Sequence, residues 1–229
     1  MRVLPDASTY VIFELAGALA GSAYVVGTHL RPILVDMHGE VDRIGIRFRP
    51  GMANVLFGIS ARDLRNRVAG FSDVGISLPP PYLDVLMNAP DIPARISAIE
   101  TWLRSCLSTM DPAALETQRE IAKIFGAVAR GLNPQGLEDL TGWNARRIQR
   151  FFLEYLGAPA ARLRRWARFR RSLAVLEAEH HHSRAMLSTE LGYSDQAHMC
   201  REFREFTGTD IGSLLAERRG VGNVQAAGQ

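Results

Sequence analysis

Arginine and glutamine carry the donor and acceptor forks that match base edges, arginine to guanine O6 and N7, glutamine to adenine. Arg146, Gln149 and Arg150 stand at i, i+3 and i+4, so on a helix they share one face. Ile148 and Phe152 would then point the other way, into a core. A second set, Gln196, Ala197, His198 and Arg201, follows about 50 residues later in corresponding places. Around the first set, Arg146 to Arg171 holds nine arginines against one acid, Glu154. Arg147, Arg164, Arg165 and Arg168 suit phosphate contacts or a solvated face, which would make them salt-sensitive without sequence preference.

The elements that must position these side chains are written twice. Gly142-Trp143-Asn144 recurs as Gly192-Tyr193-Ser194 at an offset of 50 residues. Arg150-x-Phe152-x-Glu154-Tyr155-x-Gly157 recurs as Arg201-x-Phe203-x-Glu205-Phe206-x-Gly208 at an offset of 51. A repeat of this size is one supersecondary unit used twice. Each copy reads helix, tight turn, longer helix, with glycine at the turn and Asn144 or Ser194 as the expected N-cap of the second helix. Between the copies, Pro159 to Glu179 has proline in its first turn and no internal glycine. Leu163, Trp166, Phe169, Leu173 and Leu176 recur at helical steps, which predicts one helix about 27–30 Å long. Two helices reading adjacent major grooves lie about 34 Å apart, and a rigid spacer of that size fits them.

Residues 132–218 resemble the DNA-binding domain of the AraC/XylS family of bacterial transcription regulators. Arg147-Ile148-Gln149-Arg150-x-Phe152 carries the likeness in the first copy. In the second it is Leu191-Gly192-Tyr193-Ser194-Asp195-Gln196-Ala197-His198-x-x-Arg201-Glu202-Phe203-Arg204, closed by Phe206-Thr207-Gly208. The resemblance implies two helix-turn-helix units on a linker helix, with DNA contacts from Asn144, Arg146, Arg147, Gln149, Arg150, Arg168, Ser194, Gln196, Ala197, His198 and Arg201. It implies double-stranded operator or promoter DNA and RNA polymerase as partners, with a small-molecule effector and a homodimer as further possibilities, and no cofactor. Three positions depart from the family pattern: Glu138 for a small residue, Met199 for phenylalanine and Ile211 for proline.

Charge follows the same division. Residues 133–229 hold 14 arginines against 11 acids, whereas residues 1–132 balance 13 basic residues with 13 acids, so the whole net +3 lies on the repeat half. That asymmetry suits a nucleic-acid face. Two cysteines, Cys106 and Cys200, no recognisable signal peptide and no apolar run of about 18 residues lead us to expect a cytoplasmic protein without membrane contact.

Residues 1–78 read as β-rich, with strands expected at Tyr10–Leu15, Tyr24–Val26, Ile33–Val35 and Ile44–Phe48. Short helices are expected at Ala53–Phe57 and after a capping box at Ser60-Ala61-Arg62-Asp63. This half resembles a shortened cupin-like domain of unknown function found in one AraC-like subgroup. The match is carried by Arg2-Val3-Leu4-Pro5-Asp6, Gly27-x-x-x-Arg31-Pro32, Asp42-x-Ile44-Gly45-Ile46-Arg47-Phe48-Arg49-Pro50-Gly51 and Leu56-x-Gly58. A further segment usually precedes the first motif, which here follows Met1 directly, implying either an upstream start or a barrel one strand short. His29, Asp36, His38, Glu40 and Asp42 would suit a metal cupin, but after His38 the next histidine is His180, so no metal site is expected. No nucleophilic triad or phosphate loop occurs either, and an enzyme in this half is the alternative reading. His180-His181-His182 reads as a solvated loop.

Pro79-Pro80-Pro81 is expected to be a hinge. Helices follow at Tyr82–Met87, Ile92–Ser108 and Pro112–Val128, the last two capped by Asp91 and Asp111. Ile92, Ile96, Ile99, Leu103 and Leu107 form one stripe, suited to a core or to a dimer. The expected fold is α+β: a β-rich sensory or oligomerisation domain (1–78), a helical connector (79–131), the double helix-turn-helix domain (132–219) and a disordered tail (220–229).

Overall fold

The computed structural model describes residues 2–35, 41–178 and 184–226. Among the described residues six strands come first: β1 (Arg2–Val3), β2 (Tyr10–Glu14), β3 (Ser22–Val26), β4 (Ile33–Leu34), β5 (Arg43–Arg47) and β6 (Val68–Gly70). Helices α1 (Met52–Phe57) and α2 (Ala61–Leu64) precede β6. The strands form an antiparallel sheet in the order β5-β2-β3-β6 and a separate pair β1-β4. Among the described residues no pairing joins β5 to β6, so the barrel is partial and the sheet open. Ser60 precedes α2 but makes no side-chain cap bond, so the capping box does not form.

Nine helices follow among the described residues: α3 (Tyr82–Met87), α4 (Ile92–Ser108), α5 (Pro112–Ala129), α6 (Pro134–Thr141), α7 (Ala145–Leu156), α8 (Ala160–Ala178), α9 (Arg184–Glu190), α10 (Gln196–Thr207) and α11 (Ile211–Ala226). Asp91 and Asp111 cap α4 and α5 as their side chains suggest, accepting from the Ala94 and Ala113 amides. The last helix runs on to Ala226, where a disordered tail had been expected from residue 220.

Three cores hold the chain, and their boundaries differ from those the sequence suggests. Val11, Phe13 and Val25 of the sheet share the first core with Leu86, Ile99 and Trp102 of α3 and α4. The Pro79–Pro81 segment therefore folds α3 and α4 back onto the sheet, and it separates no two bodies. The second core joins Ile121, Ile124 and Val128 of α5 to Leu137, Phe152 and Leu156 of α6 and α7. The third joins Phe169, Leu173 and Leu176 of α8 to Met199, Phe203, Phe206 and Leu214. The connector is thus divided, its first two helices belonging to the sheet and α5 to the first helix-turn-helix unit.

The stripe on α4 is also rotated. Trp102 is buried among Phe13, Phe57, Phe71 and Tyr82, with ring centroids 5.8–6.0 Å away. Burying one large indole removes more apolar surface than burying an isoleucine. The helix therefore turns Ile99 and Trp102 inward and leaves Ile92 (65% exposed), Ile96 (46%) and Leu107 (42%) in solvent.

Candidate nucleic-acid interface

The two helix-turn-helix units are built alike. In the first, Gly142 ends α6 with φ +66°, a left-handed turn that a side chain rarely adopts. Asn144 then takes an extended backbone, and its side chain accepts the Arg147 amide at 2.9 Å. In the second unit the cap is Asp195, which accepts the His198 amide at 2.6 Å, and not Ser194. The extra residue between the second turn and its helix explains the shift: the offset from Asn144 to Asp195 is 51, as it is for Arg150 to Arg201. Ser194 instead contacts His198 Nδ1 and Asp195 Oδ2 at 3.1 Å each.

From these caps the expected faces follow. Ile148 and Phe152 are buried, and Arg146, Arg147, Gln149 and Arg150 are exposed along α7. The Arg147 guanidinium lies 4.2 Å from the Trp143 ring centre. On α10, Met199, Phe203 and Phe206 are buried, while Gln196, Ala197 and Arg201 are exposed and His198 is half-buried against Tyr193. The position corresponding to Gln149 is Cys200, half-buried against the third core, which the residue pattern alone did not single out. Two of the three departures from the family pattern are absorbed. Met199 is fully buried, and Asp210 accepts the Ser213 amide at 3.0 Å, so α11 starts at buried Ile211 without a proline.

The linker helix behaves differently from its composition. Arg168 donates from Nε and Nη2 to Glu202 at 3.1 and 2.7 Å and from Nη1 to the Gly192 carbonyl at 2.9 Å. Its guanidinium also lies 4.4 Å from the Tyr193 ring centre. Arg165 donates to Glu202 at 2.8 Å and pairs with Glu205, which Arg162 also meets. Arg165 and Arg168 are thus engaged with α10, and Arg168, expected among phosphate contacts, is half-buried there. Burial alone would push the Glu202 carboxyl up, but hydrogen bonds from Arg168 and Arg165 outweigh it and hold the group below its usual range.

The amino-terminal strand straps this junction. Trp166 Nε1 donates to the Pro5 carbonyl at 2.7 Å, Arg162 Nη2 to that of Leu30 at 2.5 Å, and Arg2 Nη1 to that of Thr207 at 2.7 Å. Leu4 packs on the third core and Ala7 in the second. On the other side, α2 packs on α7, and a Cβ at Gly157 would stand 2.7 Å from the Ala61 carbonyl oxygen.

Of the groups once considered for metal chemistry, His29 Nδ1 meets the Gly27 carbonyl at 2.7 Å and Asp42 pairs with Arg95 at 2.9 Å. Asp36, His38, Glu40 and His180 to His182 lie outside the described residues. Among the described residues no three His, Cys, Asp or Glu side chains gather to hold an ion, and no helix is long and apolar enough to cross a membrane.

Residues 137–216 match a helix-turn-helix domain family, and residues 1–70 match a domain of unknown function, DUF6597. No curated protein matches the chain. Solved structures similar to it include ToxT from Vibrio cholerae at 9% identity, covering 93% of this chain and 91% of that one with a TM-score of 0.45. A second ToxT structure gives 10% identity, 93% and 90% coverage and 0.45. A third, bound to (E)-4-(8-methylnaphthalen-1-yl)but-3-enoic acid, gives 10%, 93%, 91% and 0.43.

Proposed function

We propose that this chain, a DNA-binding transcription regulator whose residues 137–216 form an AraC-type helix-turn-helix domain, sets α7 and α10 into adjacent major grooves of one duplex. The observation that carries the reading is the duplicated unit itself. Two 12-residue helices, each behind a left-handed glycine turn and a side-chain cap, present exposed polar faces, one before and one after a 19-residue helix in the chain. A 19-residue helix is about 28 Å long, within reach of the ~34 Å that separates successive major grooves.

Base readout falls to Arg146, Gln149 and Arg150 in the first groove and to Gln196, Ala197 and Arg201 in the second. Each good bidentate pair contributes about 1–3 kcal/mol of discrimination. Asn144, Ser194 and His198 sit at the two helix starts, where exposed turns meet the backbone, and Arg147 suits a phosphate. Arg168 acts at one remove, by holding α10 on the linker helix. The test is Arg150→Ala and Arg201→Ala on a duplex carrying the preferred sequence. Each should weaken the complex about tenfold or more, with sequence preference relaxed at a different element for each variant. Equal losses on random DNA would rule out base reading by these side chains.

A second copy docking along α4 completes the reading. Ile92, Ile96, Leu107 and, on α5, Leu115 leave an apolar line in solvent. Ile92→Asp with Ile96→Asp should turn a dimer into a monomer in light scattering. RNA polymerase is the partner such a regulator acts on at a promoter. A small-molecule effector bound by the amino-terminal half belongs to the same reading.

A further inference from the structure

The reading face of α7 has a neighbour from outside the helix-turn-helix domain. An open cleft of about 230 Å³ lies between α2 and α7, lined by Arg62, Arg146, Gln149, Arg150, Leu153 and Glu154. Arg62 belongs to the amino-terminal half, 84 residues before Arg146 in sequence. Its place is fixed by the backbone, because α2 touches the end of α7 where Gly157 leaves no room for a Cβ beside the Ala61 carbonyl. Arg65 and Arg67 are also exposed in the same segment, with Asp63 the one acid among them; Arg67 Nη1 donates to the Asp63 carbonyl at 3.3 Å.

Three guanidinium groups around one open cleft, against the single carboxylate of Glu154, repel one another until an anion enters. A helix seated in the major groove has a phosphodiester strand along each flank, because the groove is only about 12 Å wide. Arg62 stands on one such flank, beside the side chains that would meet base edges. Arg146, Gln149 and Arg150 remain exposed, so α2 borders the reading face without closing it.

We propose that the phosphodiester strand beside the first half-site passes through the cleft between α2 and α7, and that Arg62 is a phosphate-binding residue supplied by the amino-terminal domain. The proposal rests on α7 entering a major groove. It makes the DNA interface composite, so that the first half-site is held by both halves of the chain and the second by the helix-turn-helix domain.

The test uses the full-length protein carrying Arg62→Ala or Arg62→Glu, with Arg49→Glu, exposed in the loop between β5 and α1, as the control for net charge. Binding to the preferred duplex is measured across a salt series, with hydroxyl-radical footprints of each complex. Arg62→Ala should lower the slope of log affinity against log salt by about one, and Arg62→Glu should weaken binding about tenfold, with base preference unchanged. Protection of the backbone flanking the first element should fade while the second element keeps its footprint. Wild-type salt slope and footprint in both Arg62 variants would overturn the proposal, as would tighter binding on Arg62→Ala, which would mean that α2 obstructs the face. If Arg150→Ala also leaves the first element untouched, the groove reading of α7 itself has failed; if it abolishes that element while the Arg62 variants behave as wild type, only the composite interface has.

Discussion

The two helix-turn-helix units each carry a 12-residue second helix behind a left-handed glycine and a side-chain cap, and each rests on an apolar core, but the second adds a buried charged network. The first rests on apolar packing: α5 supplies Ile121, Ile124 and Val128, and α2 abuts Gly157. The second also packs on the linker helix through Phe169, Leu173, Met199, Phe203 and Phe206, and adds a charged network in which Glu202, buried with no exposed side-chain surface, receives Arg165 and Arg168. The second helix is thus alike in the two units, and its mounting differs. Apolar packing is insensitive to salt and pH, whereas a buried carboxylate between two guanidiniums is sensitive to both changes of partner and protonation.

The sharpest way to break this comparison is to remove the fastener. Arg168→Ala leaves Glu202 buried with half its partners gone, and should cost about 3 kcal/mol in denaturant unfolding of the second unit. Arg147→Ala, on the exposed first unit, should cost well under about 1 kcal/mol. Similar losses for the two would show that the network does not distinguish the units.

Acid provides a second test on the same group. Because the folded-state carboxyl of Glu202 titrates below its usual range, its contribution is present above the unfolded-state value and is lost as pH falls through the lowered one. Melting curves taken from pH 7 down to pH 3 should show the second unit losing stability first, and Glu202→Gln should remove that difference while lowering stability at pH 7.

A smaller effect is expected at the two closing glycines. Gly157→Ala adds a Cβ 2.7 Å from the Ala61 carbonyl at φ +66°, and should cost about 1–2 kcal/mol. Gly208→Ala is equally left-handed, but its nearest neighbours are the Arg2 guanidinium at 3.3 Å and Pro32 at 3.4 Å, one of which can swing away. Thermal unfolding should rank Gly157→Ala as the more damaging.

The caps should differ least. Asn144→Ala should cost about 1 kcal/mol. Asp195→Ala should cost more at pH 7 than at pH 3, because the His198 amide holds the Asp195 carboxyl below its usual range. Asp195→Asn should be close to neutral, and amide exchange at His198 would report both.

Much of this fold is legible from local pattern. Glycine at 142 and 192, helical steps of apolar residues and the 51-residue offset place α7 and α10 within a residue of their ends. The strands β2 and β5 show through their alternation, Val11 and Phe13 inward. What local pattern does not carry is pairing across the chain. The nine arginines between 146 and 171 read as a DNA face, yet Arg165 and Arg168 meet Glu202 and Arg162 meets Glu205, more than 30 residues away. Ser194 and Asp195 are both good caps in sequence, and only the extended backbone at Asp195 decides between them. The strap formed by Arg2, Leu4 and Pro5 involves separations above 160 residues and leaves no periodic trace. On α4 the stripe divides: Ile99 and Leu103 join the core beside Trp102, and Ile92, Ile96 and Leu107 stay in solvent.

The most direct measurement is selection from a random duplex library with the full-length protein at physiological salt. Two enriched elements centred about 10–10.5 bp apart are the result predicted for α7 and α10 on the rigid linker helix. A single element, or salt-steep binding without sequence enrichment, would contradict the placement of two reading helices in adjacent grooves.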